Sequence, residues 1–81
     1  MYDRKLITLS QMQTGQSGIV AQIRGGRGLV NHLSALGIMP GKRVTKVSSM
    51  FMRGPVTIEV DRVQIAIGFG MANKIIVDSA S

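Results

Sequence analysis

The sequence predicts a small, mainly β fold: an antiparallel barrel of about five strands with one short helix between strands one and two. Three observations carry this. The chain has 81 residues, enough for one hydrophobic core and not for two. Val56, Ile58 and Val60 alternate with Thr57 and Glu59, and Val63, Ile65 and Ile67 alternate with Gln64 and Ala66, the period-two pattern of half-buried strands. Glycine and proline cut the remainder into pieces of strand length.

Taken in order, Leu6 to Met12 is an opening segment with apolar residues at 6, 7, 9 and 12, and Ser10 is placed to cap a brief helical turn there. Gly18 to Ile23 is rich in β-branched residues and reads as strand one. Arg24-Gly25-Gly26-Arg27-Gly28 must then form a loop. Leu29, Leu33 and Leu36 follow at the spacing of one helical face, so this stretch reads as a short amphipathic helix. Gly37 stands where a left-handed C-terminal cap is wanted, Pro40 blocks continuation, and Pro40-Gly41 suits a tight turn. Arg43 to Met52 reads as strand two. Val44 and Val47 differ in parity, which requires a bulge or an environment enclosed on both faces. Arg53-Gly54-Pro55 turns the chain into the strand pair 56–60 and 63–67, joined tightly at Asp61-Arg62. A helical turn at Met71-Ala72-Asn73 precedes a fifth strand, Ile75 to Val77. An open sheet with the helix on one face is the alternative to a closed barrel. Residues 1–81 are expected to form a single domain with its core in about 6–78 and a disordered tail at 79–81.

Ten Lys and Arg against four Asp and Glu give a formal charge of +6, which attracts acidic partners. The basic residues are scattered, so a generally solvated basic surface explains them as well as a binding patch does. No apolar stretch is long enough for a signal peptide core or a membrane span. The chain has no cysteine, which fits a reducing compartment and removes thiol chemistry. Catalysis needs acid, base or nucleophile groups brought together, and one histidine with four dispersed carboxylates is a poor supply. The expectation is a protein that is not an enzyme, with no cofactor and no catalytic residue. His32, at the edge of the leucine stripe, is a weak candidate metal ligand. Strong sites use several convergent ligands, so no metal site is assigned.

The ordered set Leu33, Leu36, Gly37, Ile38, Pro40 and Gly41, followed by Val44, Gly54-Pro55-Val56, Ala72 and Ile75-Ile76-Val77, resembles the FeoA domain over roughly residues 6 to 78. That resemblance implies an SH3-like barrel and a non-enzymatic cytosolic adaptor of ferrous iron transport. Its implied partner is the cytosolic GTP-binding part of an FeoB-type membrane iron transporter, which would recruit it to the inner face of the membrane without insertion of its own. The same barrel is similar to the C-terminal domain of iron- and manganese-dependent repressors, which leaves a metalloregulator-like domain with weak transition-metal binding as an alternative. A nucleic-acid-binding barrel is the other, though three aromatic residues are a poor provision for base stacking. Homo-oligomerisation is left open.

The expected contact surface is Met50-Phe51-Met52 with Arg53 at a hairpin tip, because alternation sends Phe51 to one face and both methionines to the other. Lys46 and Arg53 would form its basic rim, and Arg24 and Arg27 in the glycine loop would assist. A phosphate-binding reading of that loop has only a weak signal, without the P-loop Gly-Lys-Ser/Thr ending, and a flexible barrel loop with two solvated arginines is the preferred reading.

Overall fold

The computed structural model describes residues 4–49 and 53–80. Six strands, β1 (Leu6–Thr8), β2 (Ser17–Ile23), β3 (Arg43–Ser49), β4 (Val56–Val60), β5 (Val63–Ile67) and β6 (Ile75–Asp78), form one antiparallel sheet in the order β1-β6-β2-β3-β4-β5. Two helices, α1 (Arg27–Ala35) and α2 (Phe69–Ala72), and a 3₁₀ turn at Leu9–Gln11 complete it. Ile67 of edge strand β5 and Leu9, just past edge strand β1, belong to the same fully buried cluster as Val20, Ile58 and Ile75. One cluster fed from both ends of the strand order requires the sheet to curl around it.

The opening segment is thus a strand and a turn. Leu6↔Asp78, Ile7↔Val77 and Thr8↔Ile76 pair β1 with β6, a partner some 70 positions away and invisible to local pattern. The 3₁₀ turn is capped by Thr8, and Ser10 lies inside it. The Thr8 N–H donates to Gln11 Oε1 at 2.8 Å and the Gln11 N–H donates back to Thr8 Oγ1 at 3.3 Å, a reciprocal capping box. Ser10 reaches across to Asn73 beyond α2, its hydroxyl bonded to Asn73 Oδ1.

Helix α1 begins at Arg27, which therefore opens the helix and is not in the loop. At its other end the Gly37 N–H donates to the Ser34 carbonyl (2.9 Å) and the Ile38 N–H to the Leu33 carbonyl (2.8 Å), with Gly37 at φ 90°. These are the two bonds of a Schellman motif, which needs a left-handed residue at this position. Leu33 and Ile38, its first and last residues, are both fully buried. Leu36 does not join the buried stripe: it is the C-cap, and 37% exposed, because the chain leaves the helical path before the third leucine can face the core.

Pro40-Gly41 makes the expected turn, with Gly41 at φ 93°. It docks on β2, the Gly41 N–H donating to the Val20 carbonyl and the Val20 N–H to the Lys42 carbonyl, both at 2.8 Å. The parity conflict in β3 is resolved by a register shift between Lys46 and Ser48, so that Lys46 pairs with Ile58 and Ser48 with Thr57. The bulge falls at Val47, which is half-buried and outside the core cluster, while Val44 is fully buried within it. Asp61 and Arg62 join β4 to β5 with φ of 52° and 68°, the left-handed pair of a two-residue hairpin turn built here without glycine. The Asp61 carboxylate is held by Lys42 Nζ at 2.7 Å. The helical turn before β6 spans Phe69–Ala72, two residues earlier than the sequence suggests. Beyond β6 the chain stays tied in: the Ser79 N–H donates to the Lys5 carbonyl at 2.9 Å and the Ala80 N–H to Asp78 Oδ1 at 3.1 Å.

Gly18 marks a close approach of β2 to β6. A Cβ there would overlap Val77 Cγ1 and stand 2.8 Å from the Asp78 carbonyl oxygen. Relief would require β2 and β6 to separate. Gly18→Ala is therefore expected to lose about 2 kcal/mol or more, read as a lowered urea midpoint. An unchanged midpoint would show that the two strands are not held at this spacing.

Candidate functional site

Of the expected contact surface, Met50, Phe51 and Met52 lie outside the described residues. Its remaining member, Arg53, is exposed and left-handed at φ 65°. The Arg53 guanidinium carbon stands 6.0 Å from the centroid of the Phe69 ring, at the outer reach of a cation–π contact. Phe69 is the first residue of α2, and Val56↔Ile67 brings the start of β4 beside the end of β5. The hairpin arm at Arg53-Gly54-Pro55 is thereby placed next to the amino end of α2. Phe69 has no distinguishing local signal in the sequence; only the β4–β5 register places it here.

Arg24 and Arg27 are exposed at the entrance to α1. They do not meet the hairpin tip along the sheet. The β2–β3 ladder runs from Gly15 and Lys46, where the Gly15 N–H donates to the Lys46 carbonyl at 2.7 Å, to Val20 and Gly41. Residues 53–55 lie beyond the first end and Arg24 beyond the second.

Lys46 is no rim residue. It points to the same inner face as Val44 and is 4% exposed. Its ammonium donates to the Met12 carbonyl at 2.6 Å and to the Ser10 carbonyl at 3.0 Å, closing the open end of the 3₁₀ turn. Burial pushes its pKa below the ordinary lysine value, since desolvation disfavours the charged form. A β-strand lysine beside a parity break gave no hint that it would turn inward.

His32 lies exposed in the last turn of α1. Among the described residues no three His, Cys, Asp or Glu side chains converge on a point where a metal ion could sit. Glu59 and Asp61 are exposed, as expected for hairpin charge. None of the described helices is long and apolar enough to cross a membrane.

One feature lies where the sequence offered no candidate. On the outer face of β1, β6 and β2 a groove of about 240 Å³ runs over Ile76, between Leu6 and Thr8 on one side and Gln22 and Arg24 on the other. The consecutive run Ile75-Ile76-Val77 hides it, because only Ile75 and Val77 enter the core.

A family model described as FeoA domain matches residues 7–79. The chain belongs to the FeoA family. Among solved structures, an iron uptake regulatory protein (FeoA) is similar at 37% identity and a TM-score of 0.82, covering 90% of this chain and 95% of its own. The Stenotrophomonas maltophilia FeoA, solved in complex with zinc and described as a prokaryotic SH3 domain protein, is 24% identical with a TM-score of 0.79, covering 93% of each chain. A manganese-dependent transcriptional repressor shares the fold alone, at 20% identity and a TM-score of 0.85 over 95% of this chain and 43% of that one. No curated protein matches. The fold is accordingly SH3-like.

Replacing Lys46 by Met keeps the length of the side chain and removes both hydrogen bonds. Lys46→Met is expected to cost about 1–2 kcal/mol near neutral pH, because two carbonyls lose their donor. The pH dependence carries a sign. With the folded-state pKa below the unfolded one, the unfolded chain holds the extra proton between those two values, so this group's contribution rises with pH across that window. The neutral amine keeps enough N–H donors for both carbonyls. Urea titrations between about pH 8 and pH 10.5 should show the wild-type advantage over Lys46→Met growing with pH. A gap that shrinks would mean the ammonium is favoured by its site.

Proposed function

We propose that this chain is a non-enzymatic cytosolic adaptor that binds the cytosolic, GTP-binding part of an FeoB-type iron transporter and is recruited by it to the inner face of the membrane. It acts as one domain. The observation that carries the contact surface is the tip of the β3–β4 arm, where an exposed arginine stands over Phe69 at the amino end of α2. Arginine and methionine are enriched at protein contacts, the first for its planar donors and the second for its adaptable packing. Met50, Phe51 and Met52 precede Arg53 directly, so the sequence sets three apolar side chains next to this cation. Arg24 and Arg27 lie beyond the other end of the β2–β3 ladder, and the contact is proposed without them. The net charge of +6 favours approach to an acidic face through long-range attraction, an effect on association rate that salt weakens.

Calorimetric titration against the FeoB cytosolic domain, with and without guanine nucleotide, tests this. Arg53→Glu and a Met50/Phe51/Met52 triple serine variant should each raise Kd at least tenfold, about 1.4 kcal/mol, with circular dichroism unchanged. Binding that survives both variants places the contact elsewhere on the molecule, and no binding by the wild type with either nucleotide state overturns the adaptor reading itself.

A further inference from the structure

The groove on the outer face of β1, β6 and β2 is a built surface with a direction. Register sets Thr8 and Gln22 on either side of Ile76, and directly paired residues show their side chains on the same face of a sheet. Ile76 is 6% exposed yet stands outside the core cluster, so its side chain forms an apolar floor on the far side of the sheet. Leu6, half exposed, is level with Asp78 at one end. Arg24 is at the other end, where its N–H donates to the Lys74 carbonyl at 2.7 Å. That bond sets a second cation opposite the first, and like charges opposite one another on adjacent strands are unfavourable unless an anion lies with them.

The two ends differ in charge and in how far that charge is satisfied. Asp78 is engaged by the Lys5 and Ala80 N–H groups and by Arg4 at 3.6 Å. Arg24 is exposed, and no described residue bonds or pairs with its guanidinium. The walls between are neutral: Gln11 spends its Oε1 on the Thr8 N–H and keeps its amide N–H₂ to donate, and Gln22 is exposed. The surface therefore offers an apolar floor, amide and hydroxyl partners along the sides, and the Arg24 cation, with Lys74 opposite it, two residues from the floor.

From this we propose that the groove binds an extended acidic segment of a partner protein, of the pattern aliphatic-x-Glu or aliphatic-x-Asp. Ile76 and the level of Arg24 are two strand positions apart, about 6.6 Å, the same interval that separates residues i and i+2 of an extended ligand. The aliphatic side chain sits on Ile76 against Leu6, and the carboxylate meets Arg24 in charge-assisted hydrogen bonds. At the Leu6 end the charge of Arg4 is already spent on Asp78, which leaves Arg24 to receive the carboxylate. The volume of about 240 Å³ accommodates a short stretch of chain. This surface is separate from the hairpin tip, and the inference stands without the FeoB reading.

The test is a ¹⁵N–¹H NMR titration of the full chain with the peptide acetyl-Ser-Gly-Leu-Ser-Glu-Gly-Ser-amide, with no transporter present. Saturable shifts are expected at the amides of Thr8, Gln22, Arg24 and Ile76 below about 5 mM peptide, an affinity fit for a single short motif. Replacing the peptide's Glu by Lys, or its Leu by Ser, should weaken binding at least fivefold. Arg24→Glu should reverse the preference between the Glu and Lys peptides, whereas the Met50/Phe51/Met52 serine variant should bind as the wild type does. The proposal is overturned by the absence of saturable shifts, by shifts spread over the basic surface and indifferent to Arg24→Glu, or by shifts at these amides that follow protein concentration instead of peptide, which would assign the groove to a second copy of the chain.

Discussion

The fold turns on one backbone event, the left-handed step at Gly37 that ends α1. Two hydrogen bonds, from Gly37 to Ser34 and from Ile38 to Leu33, bend the chain so that Leu33 and Ile38 enter the core together. The redirected chain reaches Pro40-Gly41 in time to bond on both sides of Val20, and those bonds set the register of β2 against β3. From that register follow the side of the sheet on which Val44 and Lys46 fall, the need for a bulge before Ser48, and the alignment of β4 and β5. A residue with a Cβ at Gly37 would adopt φ 90° only with backbone strain of about 1–2 kcal/mol, and that strain would sit at the junction on which the later pairings depend.

Much of this was readable from residue order, and the rest failed for particular reasons. The β4–β5 hairpin was legible because each apolar residue alternates with a polar one and the chain has only two residues in which to reverse. The bulge was legible as a contradiction, since Val44 and Val47 could not both face inward on a regular strand. Leu36 was misread because helical spacing says nothing about where a helix stops being helical. Strand β1 was hidden because its partner is at the other end of the chain and three residues carry no usable period. Lys46 was hidden because a charge is ordinarily a surface residue, and the exception rests on two carbonyls supplied by a turn more than thirty positions away.

The candidate surfaces show the same division. The hairpin tip could be named from composition, since three apolar residues in succession before Arg53 are unusual beside a turn. Its neighbour Phe69 could not, because a pairing through β5 brings it there. The outer groove was masked by continuity: Ile75, Ile76 and Val77 look alike in sequence, and only the sheet assigns the middle one to the opposite face. Arginines 24 and 27 looked like allies of the tip while their place was unknown. The ladder puts Arg24 beyond its other end, so the two proposed surfaces do not overlap.

The inward lysine makes the molecule self-reporting. An ammonium bonded to the Met12 and Ser10 carbonyls and 4% exposed is shielded from acylating reagents as long as the amino-terminal turn stays seated, while Lys5 and Lys74 are exposed to them. The rate at which Lys46 is modified therefore counts the openings of that turn, and its ratio to the rate at an exposed lysine converts to the free energy of local unfolding. A partner that clamps the outer face across β1 and β6 would slow that clock without touching the lysine, so a single mass-spectrometric peptide could register binding at a distance.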